Sequence, residues 1–455
     1  MLSAETPTWH LHIGGVMLLD ASAVPGGLGF DTWKAWLVDR VGQAEPLRER
    51  VVPVPLGIDR PLWATDPTFD VEAHVRHVHV TAPGGRHELA EIVGQFARVK
   101  LDRRRPLWEM WFVDELSDGR VAVLIKVHHA AVDGVAAALL MAQFLDTQPH
   151  PTVPPRGATP VSTERVPSEL ELFLRGLDSI ARTPLRALHP LGRTVSSIRG
   201  ILGMRDSSHL GSPATPFHGP RTSFNRAVTS NRSFAFASVG LADVKAIKNE
   251  FGTTVNDVVL ALCTTALRRY LQRRGELPDT PLTAAIPVST RTQGEIGSYG
   301  NRVSGLFTLL PTNIADPIER LRTVCGATES AKRLYASGVE DTVMDWADVL
   351  PPVALALGIR LFTWTFLAGK VPLIFNLLVS NVPGSPVPLY LAGATVAAIY
   401  PLGPVLDDIG LNITILSHDD QINFGLVSCP ELMPDVWDLA DKIPEALDEL
   451  ISAAL

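Results

Sequence analysis

Along the first third of the chain, strand-length apolar runs alternate with stretches whose apolar positions recur every three or four residues. The strand-like runs fall at residues 10–19, 74–80, 108–115 and 121–129, and the helical periodicity at 88–100 and 134–146. This pattern predicts an α/β domain over residues 1–150. The texture then changes to Pro, Ser, Thr and Gly with interspersed Arg, which predicts a connection over 151–225 with helical pieces near 168–181 and 191–203. A second α/β unit, 226–455, follows from strand patterns at 233–239, 282–287, 302–310, 411–416 and 422–427. Its helical patterns begin at residue 243, run over 254–273 and 317–335, and close the chain. Residues 371–406 carry no charge but are punctuated by six prolines, and 349–369 is broken by Pro351, Pro352 and Arg360, so these segments predict buried strands and apolar helix rather than a membrane span. No sequence repeat links the two halves.

Composition narrows the partners. The 455 residues suit two large units and a linker, and a net charge of -8 offers no positive field for a nucleic-acid backbone. Apolar residues make up 46% and charged ones 19%, with a mean hydropathy of +0.17, which fits a large core or a lipid-handling surface. Cys263, Cys325 and Cys429 are odd in number and far apart, so no disulfide framework or zinc knuckle is legible and a reducing compartment is expected. The first twenty residues carry Glu5 and two histidines and no basic leader, unlike a signal peptide. A cytoplasmic protein is the expectation.

The segment richest in chemistry is Lys126-Val-His128-His129-Ala-Ala-Val-Asp133-Gly134. It follows the near-continuous apolar run 121–127, which reads as a strand buried on both faces, so the two imidazoles emerge at the strand end. A neutral histidine there can take a proton from a hydroxyl near pH 7. Asp133, if buried, needs a cationic partner, and Gly134 permits close backbone approach. The opposing reading is two structural histidines; a metal site would need ligands that this segment does not offer.

His128-His129-Ala-Ala-Val-Asp133-Gly134 resembles the His-His-x-x-x-Asp-Gly signature of coenzyme A-dependent acyltransferases and peptide-synthetase condensation domains. Pro106-Leu-Trp108, Asn256-Asp257, Pro287-Val-Ser-Thr-Arg291, Gly300-Asn301-Arg302, Asn381-Val-Pro-Gly384 and Gly410-Leu-Asn412, in that order, resemble the bacterial wax ester synthase/diacylglycerol acyltransferase family. The resemblance implies a two-domain α/β sandwich of the chloramphenicol acetyltransferase type, with a tunnel between domains where acyl-CoA and acceptor meet. It implies transfer of a long-chain acyl group from acyl-CoA to diacylglycerol, giving triacylglycerol, or to a fatty alcohol, giving a wax ester. His129 would be the general base, His128 a supporting residue, Asp133 a structural aspartate paired with Arg291, and Ser380 or Asn381 the oxyanion donor. No metal or cofactor is implied, acyl-CoA being a substrate.

Other motifs carry plainer readings. Thr254-Val-Asn256-Asp257 fits a helix start with Thr254 as N-cap, and Trp108 and Trp111 begin the first arm of a hairpin turning at Ser117-Asp118-Gly119, where they suit a core. Glycerol-phosphate acyltransferases share His-x-x-x-x-Asp but need a downstream Glu-Gly-Thr-Arg element absent here; a condensation domain would normally sit beside a carrier module, and a lipid-binding scaffold would have little use for both histidines. Because the expected acceptors are nearly insoluble, peripheral attachment to the inner face of the membrane or to lipid droplets is expected. The basic and apolar residues of 169–205 are the candidate docking element, with 371–406 as its rival.

Overall fold

The structure is a computed structural model, and it describes residues 1–3, 5–42, 44–131, 141, 143–149, 165–183, 219–289, 303–336, 349, 351–354, 357 and 373–454. The principal strands and helices among these residues are β1 (His12–Asp20), α1 (Phe30–Val41), β2 (Glu49–Val52), β3 (Leu62–Thr65), β4 (Val75–His79), α2 (Arg86–Arg98), β5 (Trp108–Asp114), β6 (Val121–His128), α3 (169–183), β7 (Ser233–Gly240), α4 (Leu241–Phe251), α5 (Val255–Arg273), β8 (Leu282–Ser289), β9 (Val303–Leu310), α6 (Pro317–Ala336), β10 (Leu377–Val382), β11 (Tyr390–Leu391), β12 (Ala394–Leu402), β13 (Leu411–His418), β14 (Gln421–Ser428) and α7 (Val436–Ala454). The α/β class expected from the sequence holds. Helix α1 and the β2–β3 hairpin were not anticipated, and the helical piece at 191–203 lies outside the described residues.

Two six-stranded sheets carry the fold, ordered β11-β12-β1-β6-β5-β4 and β7-β14-β13-β10-β8-β9. The division at residues 150 and 225 does not follow them. β11 and β12 come from the far half of the sequence yet complete the first sheet, β12 pairing antiparallel with β1 from Gly14 opposite Leu402 to Asp20 opposite Thr395. The physical reason is that β1 would otherwise leave its edge unpaired, and β12 is an uncharged strand that can be buried there. β12 also presses on the second sheet: a Cβ at Gly425 of β14 would overlap the Pro401 carbonyl oxygen.

Strand β6 is buried along its whole length, as its unbroken apolar run predicts, and ends at His128. Val121, Val123, Ile125 and Val127 face a cluster with Trp33 and Leu37 of α1, whereas Ala122 and Leu124 face one shared with Phe234, Phe236, Tyr400 and Val427. Strand alternation puts Lys126 and His128 on this second face, toward the other half of the molecule. Trp108 and Trp111 are core residues, and the Trp108 indole donates to the Leu47 carbonyl at 2.7 Å. The second sheet packs on α5 and α7 around Val259, Leu262, Tyr270 and Ile443.

Gly425→Ala is expected to destabilise the protein by about 1 to 3 kcal/mol or more, because the clash is with backbone and cannot be relieved by a side-chain rotation. Gly305→Ala, where an added Cβ meets nothing within 4 Å, should change stability by under about 0.5 kcal/mol. Thermal melts of the two variants check the contrast.

Candidate active site

The two histidines at the end of β6 are held differently. The His128 side chain is 1% exposed; its Nδ1 accepts the Ala130 N–H at 2.9 Å, and its Nε2 lies 3.0 Å from Glu5 Oε1. An N–H pointing at Nδ1 requires a lone pair there, so the ring proton sits on Nε2, facing the carboxylate. His128 Nδ1 is thus committed, while Nε2 lies at ion-pair distance from Glu5 without a well-formed hydrogen bond. His129 begins the turn after the strand, is half-buried, and its backbone N–H donates to the Leu11 carbonyl at 2.7 Å.

Glu5 ties these elements together and was missed as a site residue by the sequence reading. Its side chain has no exposed surface; Oε1 accepts the Leu11 N–H at 2.9 Å, and Oε2 accepts Arg103 Nη2 at 2.6 Å with Lys100 Nζ 3.3 Å away. Burial would raise its pKa, but His128, Arg103 and the Leu11 N–H outweigh burial and hold the carboxyl well below the usual carboxylate range. Leu11 consequently receives Glu5 on its N–H and His129 on its C=O. The available signal was a lone acid in an otherwise apolar and histidine-rich N-terminal segment, a pattern that does not reveal its partners.

Beside His128 lie the rings of His12 and His10, with centroids 5.9 Å apart for His128–His12 and 5.3 Å for His12–His10. They line a small cavity between the two halves, together with Phe96 and Lys126 on one side and Arg232 and Val427 on the other. Burial, the largest cause, lowers His10 to about 4 and holds His12 well below the imidazole range, with the Lys126 charge acting in the same direction. Lys126 is also pushed down to about 8 by burial, although Glu109 opposes the shift from 3.2 Å. Its ammonium donates to the Phe96 and Val99 carbonyls at 2.7 and 2.8 Å, closing the C-terminal end of α2.

The second sheet supplies the remaining described candidates. Asn381, at the end of β10, donates to Asn256 Oδ1 at 3.2 Å, so two separated motifs meet where α5 begins. Ser380 precedes it, opposite Thr414 of β13. Asp257 is a capping residue: it accepts from the Thr254 N–H and hydroxyl, and the Thr328 hydroxyl of α6 reaches it at 2.6 Å. The structural reading of the Thr254 to Asp257 segment is the one its hydrogen bonds support. Asp133, Gly134 and Arg291, with the expected Asp133–Arg291 ion pair, lie outside the described residues. Cys263, Cys325 and Cys429 are free thiols.

Residues 1–259 match the wax ester synthase/diacylglycerol acyltransferase catalytic domain, and residues 299–451 match the C-terminal domain of the same proteins. A Mycobacterium tuberculosis (strain H37Rv) protein named as a diacylglycerol O-acyltransferase is 37% identical over 100% of this chain and 89% of its own length. A second from that strain, named likewise, is 33% identical over 99% and 97%. Among solved structures, the wax ester synthase/diacylglycerol acyltransferase from Marinobacter aquaeolei VT8 superposes with a TM-score of 0.69 at 29% identity, covering 100% of this chain and 98% of that one. The first condensation domain of the CDA synthetase superposes at 0.55 with 15% identity, over 100% and 94%, a likeness of fold alone.

Stability should fall on acidification in two stages. A histidine whose folded pKa lies below its unfolded value binds protons more readily when unfolded, so its contribution is full above the ordinary imidazole value of 6.5 and is lost as pH falls toward about 4. For His10 the loss reaches on the order of 3 kcal/mol. Glu5, held low, adds stability that is present above the ordinary glutamate value of 4.5 and is lost progressively below it. The melting temperature is expected to drop between pH 7 and 4, and His10→Gln to flatten the upper part of that fall; parallel slopes in the variant and the parent would contradict it.

Proposed function

The chain belongs to the wax ester synthase/diacylglycerol acyltransferase family and is an acyltransferase, and from that premise we propose that it transfers a long-chain acyl group from acyl-CoA to the hydroxyl of diacylglycerol or of a fatty alcohol, with His129 as general base. His129 takes the hydroxyl proton as the oxygen attacks the thioester carbonyl; the C–S bond then breaks and the CoA sulfur leaves with that proton. No acyl-enzyme is formed. The observation that supports the assignment is the position of the two rings: His128 is buried, with Nδ1 accepting the Ala130 N–H and Nε2 3.0 Å from Glu5, whereas His129 is half-buried in the turn that ends β6. His128 and Glu5 are positioning residues. Ser380 and Asn381 are the candidates for the oxyanion donor, Asn381 already giving one amide hydrogen to Asn256. The reading includes an Asp133–Arg291 ion pair that organises the loop after the histidines.

His129→Ala should lower kcat by ~10² to 10⁴ while the protein stays folded. Glu5→Gln should lower kcat with little change in KM, since it acts through His128 and Leu11 rather than on substrate. Turnover of labelled palmitoyl-CoA with a panel of diacylglycerols and alcohols checks both and ranks the acceptors. Near-normal turnover by His129→Ala would overturn the assignment.

Attachment to a membrane or droplet surface belongs to the same reading, and α3 supports it by a different force from the one its sequence suggests. No helix among the described residues is long and apolar enough to cross a membrane. On α3, Leu170, Leu174 and Leu177 form an exposed stripe at helical spacing with Ile180 beside it, while Leu172 is buried and Gly176 packs on Val54 and Ile58. Next to Ile58, Leu56 is 78% exposed and has a φ of 59°, two unfavourable conditions for a leucine. Of the helix's two arginines, Arg182 is paired with Asp178, and Glu169 and Glu171 add negative charge, so apolar insertion rather than attraction to anionic lipid would bind it. Arg186, Arg193, Arg199 and Arg205 lie outside the described residues. Changing Leu170, Leu174 and Leu177 together to Ser should weaken co-sedimentation with neutral phosphatidylcholine vesicles; unaltered binding would remove α3 as the docking element.

A further inference from the structure

We propose that the edge of the first sheet holds a zinc-type transition-metal site built from His77 and His79 of β4 and Asp114 of β5, a site independent of the acyl-transfer reading. Residues two apart on a strand share a face, so His77 and His79 project to the same side of the sheet. β4 runs parallel to β5 with His79 opposite Asp114, which brings the carboxylate between the two rings. His77 Nε2 lies 2.7 Å from Asp114 Oδ2, and His79 Nδ1 lies 2.6 Å from Asp114 Oδ1. The three donor groups fall within 4.8 Å of one another, and Glu115 Oε1, 3.6 Å from His79 Nδ1, stands ready as a fourth.

The donor set selects the ion. Two imidazoles with one or two carboxylates suit Zn²⁺, Co²⁺, Ni²⁺ or Cu²⁺, whereas Mg²⁺ and Ca²⁺ prefer oxygen throughout. A cation held at about 2.0 to 2.1 Å from each donor separates the donors by roughly 3.3 Å in a tetrahedron, so those now hydrogen-bonded need open by well under 1 Å. The rings then carry their protons on the other nitrogens, His77 on Nδ1 and His79 on Nε2. Phe30 at the start of α1 stacks on His77 with centroids 4.6 Å apart and rings 7° from parallel, which holds that imidazole in place before any metal arrives. No metal is expected in this protein from its sequence; the geometry of these three side chains is what departs from that expectation. Asp114 is at the end of β5 remote from His128, some seven residue steps or roughly 23 Å along the strands.

Such a site would cross-link β4, the outermost strand of its sheet, to β5 and make stability depend on metal. Metal-stripped protein titrated with Zn²⁺ in a calorimeter should bind one equivalent that His77→Ala/His79→Ala lacks, and Zn²⁺ should raise the melting temperature of the parent and not of the double variant. Asp114→Asn should weaken binding by at least about 10-fold. Mg²⁺ at the same concentration should produce neither effect. Circular dichroism of the metal-free variants checks that they fold, which the partial exposure of both histidines favours. Equal Zn²⁺ stoichiometry, affinity and thermal shift in the parent and the double variant would overturn the proposal.

Discussion

A carboxylate with no solvent-exposed side-chain surface constrains everything within reach of it. Glu5 is tolerable in the interior only because Arg103, Lys100, the Leu11 N–H and His128 surround it. Each partner is thereby fixed in turn. Arg103 also grips the Leu2 carbonyl, Leu11 holds the His129 backbone, and the His128 imidazole keeps one tautomer. The N-terminal segment is therefore part of the histidine-bearing loop in the physical sense, although most of the first sheet separates the two in sequence.

The same face of β6 serves two purposes along its length. Toward its start Ala122 and Leu124 seal the two halves together with Phe234, Phe236 and Tyr400, and toward its end Lys126 and His128 bring charge and titratable nitrogen into that interface. Dry packing at one end and polar groups at the other make a wall that excludes water from one stretch and admits polar chemistry in the next. Lys126 shows the cost of this arrangement. Its ammonium is buried deeply enough to depress its pKa, and it is retained by two helix-end carbonyls and Glu109.

Local patterns were legible where one residue's fate depends on its near neighbours. The unbroken apolar run of β6, the histidine pair at its end, the Thr254–Asp257 cap and the buried tryptophans of β5 all follow from spacing, and the ordered motifs led to the family. What was missed depends on distant partners. Glu5 looks like an ordinary surface acid until Arg103 and His128 are placed beside it. β12 resembles any buried strand, and nothing within it states that it leaves its own half to pair with β1. Helix α1 had a usable signal, Trp33, Leu37 and Val41 one turn apart, whereas the short β2 and β3 are too brief for any period to register.

The route of β12 has a consequence for how the chain is made. Synthesis proceeds from the N-terminus, so β1 and β6 leave the ribosome more than two hundred residues before the strand that closes their sheet. At cellular elongation rates that interval is on the order of tens of seconds. Throughout it the β1 edge offers unpaired backbone groups beside an apolar face, a template for any other nascent strand. A polypeptide of this connectivity matures late and all at once, and its yield in a cell is governed by what shields that edge during the wait.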